Sequence, residues 1–590
     1  MSLSTLDWII IISFFIVFAI IGIAVSKKSG KSASEFFLSG RNMPWWLLGI
    51  SMVATTFSAD TPNLVTDIVR QNGISGNWVW WAFLLTGMLT VFVYAKLWRR
   101  SEVLTDLEFY EIRYSGKAAA FLRGFRAIYL GVFFNIMIMA SVCLAAIKIG
   151  GILFGLAPWE CVLYASIITV IYSALGGLRG VIFTDFLQFI VAMIGSIAAA
   201  YYLINLPEVG GLSNLLAHEN VSPQLNFLPD FNDSNSLITL LIIPLAVQWW
   251  SVWYPGAEPG GGGYIAQRML SAKDEKNAVG ATLLFNIAHY ALRPWPWILI
   301  ALISLVIFPE LNSIQQAFPN VDSGIIGHDL AYPAMLTKLP AGLLGLVVAS
   351  LIAAFMSTIS THLNWGSSYI AIDFYKRFMN PNASEKKLVN VGRISTIGLM
   401  LFAALIALAL ESALSTFKIL LQIGAGTGLI FILRWFWWRI NAYSEITGMI
   451  VSFIIALWFE FIHEHIFGSR LEGYQELVIG VILTTISWVA ATLLTKPTKN
   501  ETLIKFYNKV KPFGNGWNGF KQKVRKDNIG LDDSSDKFTI DLASMLLGVL
   551  LVYCSLFGTG YLIYGNLIGA LILFTITAVA VIVLLKIRRK

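Results

Sequence analysis

The chain has 590 residues, 57% of them hydrophobic and 13% charged, with a mean hydropathy of +0.71. Soluble domains carry roughly twice that charged fraction, so a polytopic membrane protein is expected. A net charge of +8 would suggest a nucleic-acid partner in a soluble protein, but here the charges sit in loops between apolar runs, where membrane orientation accounts for them. The three cysteines, Cys143, Cys161 and Cys554, lie in apolar runs and suggest neither a disulfide framework nor a cysteine metal site.

Apolar runs near the roughly 20 residues that cross hydrocarbon are read at about 7–26, 45–70, 77–98, 120–150, 158–177, 181–205, 237–256, 276–308, 340–374, 391–410, 414–438, 444–465, 474–494, 540–563 and 566–587. The first is not read as a cleaved signal peptide, because Lys27, Lys28 and Lys31 follow its apolar run. With the N-terminus outside, the inner loop 96–126 holds seven Lys and Arg, 375–393 five, and 496–538 ten, while the outer loops 206–236 and 309–335 hold none. That alternation predicts fifteen spans, N-terminus outside and C-terminus inside.

Two runs are poor continuous helices. The second has polar residues from Thr55 to Thr61 and then Pro62; the seventh runs from Pro244 into WYPGAEPGGGGYIAQR. Unwound backbone at membrane depth is tolerated only where it is buried in protein or lines a cavity. The two are five spans apart, as expected of a five-helix unit repeated in inverted orientation. The expected organisation is an extra N-terminal helix in 1–44, repeats at 45–205 and 237–438, two added helices in 444–495, a basic linker at 496–538 and two final helices in 540–590. The linker reads as a solvated cytoplasmic loop in preference to a lipid-bound one.

The ninth run, ASLIAAFMSTISTHLNWGSSYIAIDFY, is rich in hydroxyls. At 100° per residue, Ala354, Ser357, Thr358, Ser360 and Thr361 fall within about half the circumference. They are either ligands for a small cation or hydroxyls bonded back to their own helix. Asp185 lies in an apolar run, where acids are functional candidates. Asp60 and Glu258 lie in the broken segments and either contact substrate or pin exposed amides, and His289 and His362 lack metal-ligand spacing. No nucleotide loop, nucleophile constellation or metalloprotease motif occurs, so no enzyme is expected.

The passages FFLSGRNMPWW, GGLRGVIFTDFLQ, YIAQRMLSAKD and AAFMSTISTHLNWGSSYIAIDFYKRF followed by KLVNVGR resemble the sodium:solute symporter family over roughly residues 8–495. The resemblance implies a cell-membrane symporter with the LeuT-type fold of five plus five helices, preceded by one helix and followed by four. It also implies a first sodium site of the Ala54, Phe57 and Ala354 carbonyls with the Ser357 and Thr358 hydroxyls. A second, as in some members, would use Asp185, Ser360 and Thr361, with Ser357 shared. Sodium is then cargo, and no prosthetic group is expected.

For the cargo the likeness is looser. Where sodium–galactose members hold the sugar with Asn, Gln and Glu, this chain has Thr56, Thr61 and Trp80, and the Lys of the eighth span is replaced near His289, with Arg293 one turn on. The candidate substrate set is Thr56, Asp60, Thr61, Trp80, Trp253, Glu258, Tyr264, His289 and Gln422. The abundance of Trp beside the broken helices suits the apolar faces of a sugar or polyol. An amino acid, an organic anion, or a nutrient sensor without transport stay open as alternatives. The partners implied are sodium, a small solute and the bilayer. The oligomeric state is not legible.

Overall fold

The structure, a computed structural model, describes residues 3–29, 31–252, 258–319, 321, 326–410, 424–526, 530–532 and 537–589. Among these there is no β-strand, only a single bridge between Met43 and Ala272. The helices that frame the site are α1 (Thr5–Ser29), α2 (Trp45–Thr56), α3 (Thr61–Asn72), α4 (Ile74–Ser101), α5 (Lys117–Phe154), α6 (Pro158–Ile204), α7 (Ser234–Trp250), α8 (Gly263–Ser271), α9 (Glu275–Ile307), α10 (Leu343–Met379) and α11 (Glu385–Ala407). Beyond them come α12 (Ala442–Phe467), α13 (Gly473–Leu494), α14 (Asn500–Val510), α15 (Asn518–Lys526), α16 (Phe538–Ile563) and α17 (Leu567–Arg588).

Ten helices among the described residues are long and apolar enough to cross a membrane, and three shorter apolar ones accompany them. The expected runs at 158–177 and 181–205 form one helical stretch interrupted at Gly177, whose φ of 54° and ψ of −168° break the helical path. The second run is cut into α2 and α3, and much of the run at 414–438 lies outside the described residues.

Burial orders these helices from centre to rim. α10 is 83% buried over its most apolar stretch, against 17% for α17 and 22% for α12. The hydroxyl-bearing helix is therefore the central post of the molecule, and the outer helices turn Ile394, Leu401 and Leu405 outward as lipid-facing surface. Its N-terminus is tied to α1: Asp7 Oδ1 accepts the amide hydrogens of Gly342 and Gly345, each at 2.7 Å. A carboxylate there satisfies otherwise unpaired helix N–H groups.

The expected breaks are present and have local causes. α2 ends at Phe57, with φ −91° and ψ 77°. α3 restarts at Thr61 with Pro62 in its first turn, where a missing N–H costs nothing. In the other break, Gly260 and Gly261 take φ of 86° and 91°, a conformation that side-chain-bearing residues rarely adopt. Trp98 fixes this turn by donating its indole N–H to Gly260 O at 2.8 Å.

The linker is not the solvated loop expected from its charge. Leu503, Phe506, Tyr507, Phe520 and Val524 are buried on the inner faces of α14 and α15, and Trp517 is buried in the turn just before α15. Trp517 donates to Trp435 O at 2.9 Å, and Arg113 lies over the Trp517 and Phe506 rings. A solvated reading counts charges; helical periodicity places these apolar residues on one face instead.

Candidate ion and substrate site

The hydroxyls of α10 meet the unwound end of α2. Phe57–Asp60 leave the helical path, so the carbonyls of residues 54–57 lose the regular i+4 donors they would have in a continuous helix. Thr358 Oγ1 donates to one of them, Thr55 O, at 2.8 Å. The Thr56 carbonyl instead accepts from Thr61 Oγ1 at 3.3 Å, and the Phe57 amide closes back on Ala54 O at 3.1 Å. Ala54, Phe57, Ala354, Ser357 and Thr358 are all buried. The residues expected around a first ion therefore occupy the same helix junction. Such neutral oxygens suit a hard monovalent cation.

The second candidate group is also assembled, but with a member that sequence reasoning missed. Asp185 is fully buried and accepts from Ser357 Oγ at 2.6 Å and Ser51 Oγ at 2.5 Å. Arg268 of α8 faces it, with Nη2 3.7 Å from Asp185 Oδ2. The same nitrogen donates to Thr361 Oγ1 at 2.8 Å and Thr55 Oγ1 at 3.2 Å, and Nε donates to Ser51 Oγ at 3.2 Å. Ser360 turns back to Ser357 O at 3.0 Å. In this arrangement a guanidinium already supplies positive charge beside Asp185. Arg268 stood within YIAQRMLS, an arginine among apolar residues, and that was the available signal.

The candidate substrate residues divide between two places. Thr56, Trp80 and His289 come together with Arg293. Arg293 Nη1 donates to Thr56 Oγ1 at 3.1 Å, and Nη2 meets His289 Nε2 at 3.1 Å. A guanidinium has no acceptor, so His289 Nε2 must accept. The ring is therefore the neutral Nδ1–H tautomer, donating to Thr56 Oγ1 at 3.0 Å. Thr56 completes its own valence by donating to Val53 O at 3.0 Å. Trp80 stands edge-on to His289 at 5.7 Å and stacks on Tyr290 at 5.8 Å. Asp60 and Tyr264 lie within electrostatic reach of Arg293.

Glu258 belongs elsewhere. It pairs with Arg126 and lines a cavity with Thr86, Thr90, Thr282, Asn286 and Tyr290. Glu258 Oε2 and Asn286 Oδ1 are buried acceptors without a hydrogen-bond partner. Asp106 accepts from Gly263 N at 2.8 Å and from Tyr369 Oη at 2.6 Å. Burial and the neighbouring Glu258 push the Asp106 carboxyl up to about 6. Trp253 and Gln422 lie outside the described residues.

An all-helical membrane fold with a hydroxyl-bearing central helix, a broken partner and a buried polar cavity defines a class: multi-pass membrane carriers of small solutes. The model of the sodium:solute symporter family matches residues 36–452, and the chain belongs to that family. Its members are transporters, not enzymes. The chain is 25% identical over 520 residues to a sodium/glucose cotransporter of Vibrio parahaemolyticus, covering 85% of this chain and 92% of that protein. It is 28% identical over 503 residues to a sodium/myo-inositol cotransporter of Bos taurus, covering 77% and 67%. Among solved structures, the substrate-bound outward-open state of a Na+-coupled sialic acid symporter matches with a TM-score of 0.68 and 22% identity, covering 84% of this chain and 99% of that one. That likeness shows the fold.

Proposed function

We propose that the chain is a sodium-driven importer of a sugar or sugar-like polyol, working by alternating access with two sodium ions per cycle. The observation that supports it most is the contact of Thr358 Oγ1 with the Thr55 carbonyl, where a central hydroxyl helix meets the end of a broken one. The first ion sits among the Ala54, Phe57 and Ala354 carbonyls and the Ser357 and Thr358 hydroxyls. The second is held by Asp185, Ser360 and Thr361, and its entry requires Arg268 to leave Thr361. The proposed frame is fifteen spans, N-terminus outside and C-terminus inside the cell membrane, with inverted five-helix repeats at 45–205 and 237–438. The sugar and inositol cotransporters among the relatives support a hydroxylated cargo, as do the aromatic faces of Trp80 and Tyr290 beside Thr56.

The number of ions sets how steep a gradient the carrier can sustain. For an uncharged solute at ~100 mV and a tenfold sodium gradient, one ion supports roughly 500-fold accumulation and two roughly 10⁵-fold. Proteoliposomes under an imposed sodium gradient test the reading. Accumulation of a labelled sugar or polyol that collapses with the gradient is expected. Uptake driven by a pH gradient alone, or binding without uptake, would overturn it.

A further inference from the structure

Seven arginines are buried among the described residues, and six of them have an evident reason to be charged there. Arg123, Arg126, Arg268 and Arg434 each lie within 4.0 Å of a carboxylate oxygen. Arg70 and Arg113 place their guanidinium groups on backbone carbonyl oxygens, Phe308 O and Pro309 O for one, Arg434 O and Trp437 O for the other. Arg293 has neither. It is 2% exposed, and no carboxylate of the described residues lies within 4.0 Å of it. Its hydrogen-bond partners are the Thr56 hydroxyl and the neutral His289 ring, and its Nε has none. A buried cation at membrane depth without a direct ion pair is costly and marks a functional position by default.

The place of Arg293 says what would compensate it. The cation borders the break of α2, where Phe57 packs edge-on to Trp297 and Arg293 lies over that same indole. Asp60, the residue that opens α3, is within electrostatic reach but makes no ion pair with it. The first turn of α3, a helix of 12 residues, adds the positive end of a helix dipole to the same region. The unpartnered Nε and the His289-facing Nη2 form the side edge of the guanidinium. That edge binds a carboxylate through two parallel hydrogen bonds. His289 Nε2 is a neutral acceptor, and an ionised carboxylate makes the stronger hydrogen bond to a guanidinium.

We infer that the cargo carries a carboxylate, held side-on by Arg293, and is therefore a sugar acid of the uronate kind. This rests on the sodium-driven import of a hydroxylated solute proposed above and narrows it to an acidic one. The ring hydroxyls then face Thr56, and the apolar ring face lies against the Trp80 and Tyr290 pair. While bound, the anion pairs with Arg293, and its translocation with two sodium ions carries one net positive charge per cycle.

The test uses the full chain in proteoliposomes under an inward sodium gradient, with labelled glucuronate, glucose and myo-inositol. Glucuronate is expected to accumulate and to compete with either neutral solute if that is also carried. Arg293→Gln should raise the glucuronate concentration for half-maximal uptake by roughly 10- to 100-fold, with Arg293→Lys intermediate. Arg293→Gln is first checked for a monodisperse state and a wild-type sodium-induced thermal shift. Failing that check, the Arg293→Lys uptake and wild-type competition decide alone. Sodium-driven uptake of a neutral solute that glucuronate does not inhibit overturns the acid assignment and leaves the symporter reading standing. Unaltered glucuronate uptake in Arg293→Gln overturns the role of Arg293. Absence of sodium-driven uptake of all three removes both.

Discussion

Nη2 of Arg268 lies 2.8 Å from Thr361 Oγ1 and 3.7 Å from Asp185 Oδ2, so an internal cation stands where the second sodium is proposed. Ion and guanidinium then compete for one carboxylate. Asp185→Asn should lower the Hill coefficient of sodium-activated uptake from near two to near one. Arg268→Ala leaves Asp185 buried and unpaired, a loss of about 3–5 kcal/mol. Sodium should recover part of it, so the sodium-induced rise in Tm should exceed that of the wild type. An equal rise would argue that the ion and the arginine do not share the site.

Thr358 touches the break directly, through Thr55 O at 2.8 Å. Thr358→Ala should raise the half-saturating sodium concentration about tenfold, equivalent to ~1.4 kcal/mol. Thr358→Ser retains the hydroxyl and should stay close to the wild type. Sodium titration of uptake distinguishes the two, and a normal Thr358→Ala curve would remove this hydroxyl from the ion site.

The Arg126–Glu258 pair joins α5 to the second break, at a cavity that Glu258 and Thr86 line together. In the proposed orientation such a pair would close the cytoplasmic side during alternating access. Glu258→Gln weakens it, and a thiol at Thr86→Cys should then react from the cytoplasmic face about tenfold faster. Cys143, Cys161 and Cys554 are buried and give a low background. Unchanged reactivity would mean that the pair does not gate the cavity.

Trp517 anchors the linker by filling a buried slot and bonding Trp435 O. Trp517→Ala should cost about 3–5 kcal/mol of packing. Limited proteolysis should then cut between residues 496 and 538 faster than in the wild type. A cleavage rate no different from the wild type would indicate that α14 and α15 stay docked without the indole.

Glu111 lies in a short helix, Phe109–Arg113, between α4 and α5. Burial favours its neutral form, but Arg377 at 2.8 Å and Arg123 at 2.7 Å outweigh this and hold its carboxyl below its ordinary 4.5. The unfolded chain thus binds the proton more readily than the folded one. The stabilisation is present above that ordinary value and is lost as pH falls through the lower folded value. Thermal melts of purified protein should lose stability on acidification in that window, and Glu111→Gln should flatten the slope. Parallel wild-type and variant curves would exclude the pair as a source.

Much of the fold was legible because its signals are local. Pro62 and the run Gly260–Gly263 mark breaks wherever they occur, since missing N–H groups and left-handed backbone are properties of single residues. The hydroxyl face of α10 followed from helical spacing. Charge counts misplaced the linker, because whether Phe506 and Trp517 are buried depends on a partner, Trp435, far away in the chain.

The sequence by itself determined a helical membrane chain, the position of its two breaks and the hydroxyl face of α10, since period, length and local backbone chemistry specify them. Only the tertiary structure decided which charges meet. Arg268 lies 83 residues after Asp185 in the chain yet shares its buried pocket, whereas Glu258, expected beside the substrate with Thr56, is drawn away to Arg126. In a low-dielectric interior an ion's role is set by its nearest opposite charge, and helix packing chooses that neighbour. By the same rule Arg293 stands apart, because among the described residues packing brought no carboxylate into direct ion-pair contact with it.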